Sequence, residues 1–191
     1  MFNPQTGINM KKVVFSFIIS LLVISNIIAQ NQLPVDPETK KITYTEVVQV
    51  DGALKDDLYL KAKNWALSNG FKQVSDSKAD GKFVAKGQFG VQYPSPMKGM
   101  NHSGTVTYLF TISVKDGKYK YELVDFVHES PKGNGGKLEN DIPQCGKYTL
   151  VPSGWSTIKS KSAESAQATI NSLKQELANA PAAVEKKSED W

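Results

Sequence analysis

Apolar positions recur along this chain with one of two periods, and each change of period marks the end of an element. Ile42, Tyr44, Val48 and Val50 alternate with Thr43, Thr45 and Gln49, which predicts a strand that Asp51-Gly52 breaks. Leu54, Leu58, Ala62, Trp65 and Ala66 then return at helical spacing. Asp56 and Asp57 fall in the first turn, where carboxylates favour the helix dipole, and Asn69-Gly70 supplies a left-handed stop. Phe71 to Val74 reads as a short strand and Ser75 to Gly81 as a turn. Beyond it Phe83, Ala85, Phe89, Val91 and Tyr93 alternate against Lys86, Gln88 and Gln92 as a half-buried strand, and Pro94 to Gly104 reads as a loop.

The clearest local signal follows. Asp116-Gly117 between the alternating runs Val106–Val114 and Tyr119–His128 specifies a hairpin with a two-residue turn. Its register sets Lys115 opposite Lys118, Val114 opposite Tyr119, Phe110 opposite Leu123 and Tyr108 opposite Asp125. One face then collects Val106, Tyr108, Phe110, Ile112, Val114, Tyr119, Tyr121, Leu123 and Val127, and must be covered. The other carries mostly Thr, Ser, Lys and Glu, with Leu109, Val124 and Phe126 as its apolar members.

Residues 129–159 read as a long glycine-, proline- and asparagine-bearing excursion with a short strand at Lys147–Val151 and with Trp155 inside it. Ala163, Ala166, Ile170, Leu173 and Leu177 then form one helical stripe, ended at Ala180-Pro181, and 181–191 read as a disordered tail. Strand, helix, three or more antiparallel strands, long loop and helix make a two-layer α+β domain over 42–180, with two helices covering one sheet face.

The first residues belong to a different physical regime. Lys11-Lys12 precede an apolar run from Val13 to Ala29, the layout of a secretory signal with cleavage after Ala29. Residues 1–29 are therefore expected to be a signal peptide, with 30–41 a polar lead-in and no membrane span left after cleavage. Met10 is an alternative start, since Met1–Asn9 adds nothing to such a signal. Export places the protein in the periplasm or outside the cell, where the single Cys145 has no internal disulfide partner. The 191 residues carry 23 lysines and no arginine against 19 acids, a net +4 that falls to +2 without Lys11 and Lys12. A chain without the guanidinium fork lacks the usual footprint of a nucleic-acid reader, so none is expected as a partner.

Several segments together resemble a known family: Leu33-Pro34-Val35-Asp36, Lys41-Ile42-Thr43-Tyr44-Thr45-Glu46-Val47-Val48, Lys55-Asp56-Asp57-Leu58-Tyr59 with Trp65, and Lys115-Asp116-Gly117-Lys118-Tyr119-Lys120-Tyr121. The family is that of exported Bacteroidota-type proteins described as a domain of unknown function with a TATA-box-binding-protein-like fold. The resemblance implies one curved antiparallel sheet with two helices on a single face, a helix-grip arrangement, and implies no activity. Two positions depart from it: Leu54 stands where a capping serine is expected, and Lys120 where an arginine is.

No Gly-x-Ser-x-Gly, phosphate loop, His-Glu-x-x-His or Cys-x-x-Cys occurs, so no catalytic residue and no cofactor are expected. The expected role is a non-catalytic binding or interaction module whose partner is an envelope protein or a small ligand. Its surface would be Leu109, Val124 and Phe126, a small apolar island that Trp155 from the excursion is placed to cover. The alternative is a periplasmic copper-type protein, because the register puts Thr105 opposite His128 and so brings His102 near it, with Met97 and Met100 in the same loop. Thioether and imidazole suit copper.

Overall fold

The computed structural model describes residues 33–178; the expected signal segment, residues 30–32 and everything from 179 on lie outside the described residues. Its order is β1 (Tyr44–Gln49), α1 (Lys55–Ser68), β2 (Lys72–Ser77), β3 (Lys82–Pro94), β4 (Asn101–Lys115), β5 (Lys118–Glu129), β6 (Gly136–Lys137) and α2 (Pro152–Ala178). The strands form one antiparallel sheet in the order β1-β5-β4-β3-β2, with the two-residue β6 pairing the far end of β5. Both helices pack against one face, where the core lies. They are tied to each other by the Trp65 indole N–H, which donates to Ser172 Oγ at 3.0 Å. None of the described helices is long and apolar enough to cross a membrane.

Helix α1 starts without a cap of its own, since Leu54 offers no side-chain acceptor. The acceptor comes from the β4–β5 turn: Asp116 Oδ1 takes the Lys55 backbone N–H at 2.7 Å. The residue that makes the hairpin turn thus also satisfies one of the four orphan donors of the helix, and its charge faces the positive end of the dipole. Gly117 N–H donating to the Ala53 carbonyl at 2.8 Å ties the same turn to the same helix start.

Several sequence expectations are corrected. β2 runs on to Ser77, into the expected turn 75–81, and β4 begins at Asn101, inside the expected loop 94–104. The second helix begins eleven residues before Ala163, because Pro152 occupies its first turn, where a missing N–H costs nothing. The excursion therefore ends at Val151 rather than Lys159, and Trp155 is a helical residue. No strand forms at Lys147–Val151.

A further correction concerns register. Pairing follows the expected alignment from Lys115–Lys118 to Leu109–Val124, but Thr107 then pairs with Val127, Val106 with His128 and Thr105 with Glu129. Two steps on β4 meet three on β5, so β5 carries one extra residue, a β-bulge. Asp125 sits in it at φ 56, a left-handed conformation that Asp tolerates better than most residues. Its carboxylate leaves the core altogether and meets the Lys41 ammonium at 2.8 Å on the surface. Alternation inverts beyond it: Phe126 and His128 turn to the helix face and become fully buried, and Val127 turns out. Phe126 stacks on Tyr108, with ring centroids 5.2 Å apart and planes 19° apart.

Candidate functional site

The helices leave the second face of the sheet to solvent, and the register defines what it presents. Across β3, β4 and β5 the outward rows run Lys82–Ser113–Lys120, Val84–Thr111–Glu122, Lys86–Leu109–Val124 and Gln88–Thr107–Val127. β1 extends two of them with Val47 and Thr45. Strand pairing brings neighbours in a row within about 5 Å, so these side chains form one continuous surface. It is a field of hydroxyls with a half-buried apolar patch of Leu109, Val124 and Val127 at its centre.

Two properties set this face apart. Every aromatic residue in the strands, from Tyr44 and Phe83 to Tyr121 and Phe126, lies on the helix side. The open face also carries seven lysines, Lys72, Lys82, Lys86, Lys115, Lys118, Lys120 and Lys137, against Glu122 and Glu129. None of these lysines has an ion-pair partner among the described residues. The ion pairs lie elsewhere: Lys63 meets Asp76 and Lys174 meets Glu46 beside the helices. Glu46 is held below the usual carboxylate range by hydrogen bonds from Lys174 and then from Tyr121. Asp76 and Glu46 are paired beside the helices, and on the open face the seven lysines outnumber Glu122 and Glu129.

Concavity appears at the turn end of this face. A cavity of about 340 Å³ has Lys115, Lys118 and Lys120 in its lining, with Ser113, Val47, Asp80, Val114 and Tyr119. Asp80 accepts the Ser77 hydroxyl and Asp116 the Lys55 N–H, and Glu122 lies in the next row of the face.

Of the residues singled out from sequence, Leu109 and Val124 lie opposite each other on the open face as expected. Phe126 does not join them, because the bulge carries it into the core, and Val127 takes its place. Trp155 is no lid over them: it is buried on the helix side, where its indole N–H donates to the Asn140 carbonyl at 3.0 Å. Its ring meets the His128 imidazole edge-on with centroids 6.3 Å apart. Asp125, expected opposite Tyr108, is on the surface, and the Tyr108 hydroxyl lies 3.3 Å from Thr169 Oγ1.

The four residues of the metal alternative divide in two. His102 and His128 both meet the Tyr93 ring edge-on, at centroid distances of 6.0 and 5.2 Å. Met97 and Met100 are exposed, at 59% and 51%. His128 Nδ1 accepts the Gly135 backbone N–H at 3.1 Å, so in the neutral ring the proton sits on Nε2 and that nitrogen has no lone pair to give. Nε2 lies so close to Gly104 that a methyl group there would overlap it, and it is buried with no hydrogen-bond partner among the described residues. Burial pushes the His128 pKa down, consistent with a neutral core imidazole. Among the described residues no group of three His, Cys, Asp or Glu side chains converges.

This fold, a single open antiparallel sheet with both helices on one side, defines the class: the TATA-box-binding-protein-like α+β domains. Residues 44–129, the start of β1 to the end of β5, match the model of the family described as "Domain of unknown function (DUF4468) with TBP-like fold", the family the sequence resembles. Two solved structures share the architecture. A DUF4468 family protein from Bacteroides ovatus superposes with a TM-score of 0.60 at 16% identity, covering 82% of this chain and 95% of that one. A TBP-like protein from Parabacteroides distasonis gives 0.59 at 17% identity, covering 78% and 99%. At this identity the likeness is one of fold. No curated protein matches the sequence.

Proposed function

We propose that this is an exported, non-catalytic binding module whose working surface is the open face of the sheet. The observation that carries the reading is the division of labour between the two faces. All strand aromatics serve the core, while the other face is left hydroxyl-rich, lysine-rich and uncovered by any described element. A face that served only to keep the protein soluble would mix charges of both signs and pair them, as the outer surfaces of the helices do with Lys161 and Glu164 at 2.7 Å. The basic, apolar and small-residue pattern of Lys11 to Ala29 supports export.

Nucleic acid is not the partner we propose, although the face is basic. Single strands are held by bases stacked on aromatic rings, and this face presents none. Duplexes are read through guanidinium forks, and the chain has no arginine.

Photo-crosslinking in the native cell envelope tests the reading. A benzophenone side chain at Thr111, on the open face, should give a discrete adduct, and the same group at Glu164, on the outer side of α2, should give none. Adducts from Glu164 alone would place the working surface on the helices and sink the proposal.

A further inference from the structure

We propose that the concavity at the turn end of the open face is a binding site for a phosphate monoester group. The inference rests on the reading of that face as the working surface and names what it takes.

The geometry is supplied by the hairpin. Lys115 and Lys118 are the terminal pair of the β4–β5 ladder, and Lys120 follows Lys118 by two residues, so all three project to the same side. Together with Ser113, which pairs directly with Lys120, they border one cavity of about 340 Å³, within the range of small-molecule sites. Like charges this close raise each other's energy, and a protein normally relieves that with nearby carboxylates. Here the carboxylates are fewer than the ammonium groups: Asp116 caps α1, Asp80 is the one acid in the lining, and Glu122 lies one row further along the face, outside the lining.

Charge then selects the ligand. Three ammonium groups and one carboxylate leave the site at +2. A phosphate monoester carries about −1.5 to −2 near neutral pH and offers three acceptor oxygens, so it balances the site in one group. A carboxylate would leave it positive. Ammonium groups on flexible stems bind phosphate as point charges and need no bidentate fork, which is why the lack of arginine does not count against this ligand. Ser113 in the lining adds a hydroxyl donor, and Val47, 54% exposed, with Val114 and Tyr119 offers apolar surface for the carbon body of the ester.

The test is calorimetric titration of the full mature protein at constant ionic strength, using glycerol 1-phosphate, acetate, and vesicles with and without phosphatidylglycerol as probes. A short DNA duplex completes the set. Glycerol 1-phosphate is expected to bind one to one and more tightly than acetate. The double variant Lys118→Gln, Lys120→Gln should weaken it by at least about tenfold, since two of three attracting charges are gone. Lys137→Gln, on the same face but at its other end, should change it less than about twofold. Binding that moves to the phosphatidylglycerol vesicles and is lost in the same double variant supports the site with a lipid headgroup as the source. No binding of either phosphate probe, equal loss in Lys137→Gln, or tighter binding to the DNA duplex than to the ester overturns the proposal. A failure here beside a discrete crosslink from Thr111 would refute the ligand and leave the open-face reading standing; failure of both refutes the face as well.

Discussion

The bulge at Asp125 makes a prediction that a regular hairpin contradicts, because it decides which of two adjacent residues is core. Phe126 is fully buried and contacts Tyr108 and Tyr44 through its ring, at 5.2 and 5.9 Å between centroids. Truncating it to alanine removes the transfer energy of a whole ring and leaves a cavity that a sheet pinned on both sides cannot close, a cost of about 3–5 kcal/mol. Val127, half buried on the open face, loses two methyl groups that are already partly wet, a cost below about 1 kcal/mol. For a domain of this size about 2–4 °C of Tm accompanies each kcal/mol, so Phe126→Ala should melt at least about 6 °C lower and Val127→Ala within about 4 °C of the parent. Chemical denaturation of the two variants, read by the same far-ultraviolet signal, checks the free energies directly. A regular ladder would place Val127 inside and Phe126 outside. If Val127→Ala costs as much as Phe126→Ala, the bulge and the inverted alternation beyond it are wrong.

Two further outcomes follow from particular contacts. Asp116→Ala should destabilise the domain by about 1 kcal/mol, and Asp116→Asn, which keeps an acceptor for the Lys55 N–H, by less; equal losses, measured by urea titration, would show that the turn does not cap α1. Burial holds the folded-state pKa of His128 below its ordinary 6.5, so the unfolded chain takes up a proton first as pH falls. Stability from this group is complete above pH 6.5 and is lost on acidification through the folded-state value, before the depressed carboxylates Glu46, Asp76 and Asp36 contribute below about pH 4.5. His128→Gln, which keeps an acceptor for Gly135, should flatten the stability profile just below pH 6.5; an unchanged slope there would remove His128 as its cause.

Most of the fold is legible in the pattern of residues, because period and turn chemistry are local. The alternation in β3 and β4, the Asp-Gly hairpin and the stripe of Ala163, Ala166, Ile170, Leu173 and Leu177 all describe what the residue does within its own element. Two local readings failed for physical reasons. Pro152-Ser153-Gly154 looks like loop composition, yet proline is at home in a helix's first turn, and Gly154 sits where the helix closely approaches the Pro94 carbonyl. The bulge left a trace that strict alternation could not use: an acid, Asp125, falling on an otherwise apolar face. One left-handed residue there resolves the conflict, exporting the charge to Lys41 and admitting Phe126. The apolar half of the candidate surface, Leu109 and Val124, followed from hairpin register alone. Its lysine character did not, because Lys72, Lys82, Lys86 and Lys137 reach that face only through the pairing of β2, β3 and β6, which is long-range information.

Covalent lysine footprinting tests the central claim most directly, since the open face is marked by lysines and the helix side has its own. The protein is modified with a water-soluble acylating reagent, free and after incubation with the native envelope fraction, and each lysine's reactivity is read by peptide mass spectrometry. Protection of Lys82, Lys86, Lys118 and Lys120 with Lys161 on α2 unchanged is the predicted result. Protection of Lys161 with the four open-face lysines fully reactive would contradict it and move the working surface to the helices.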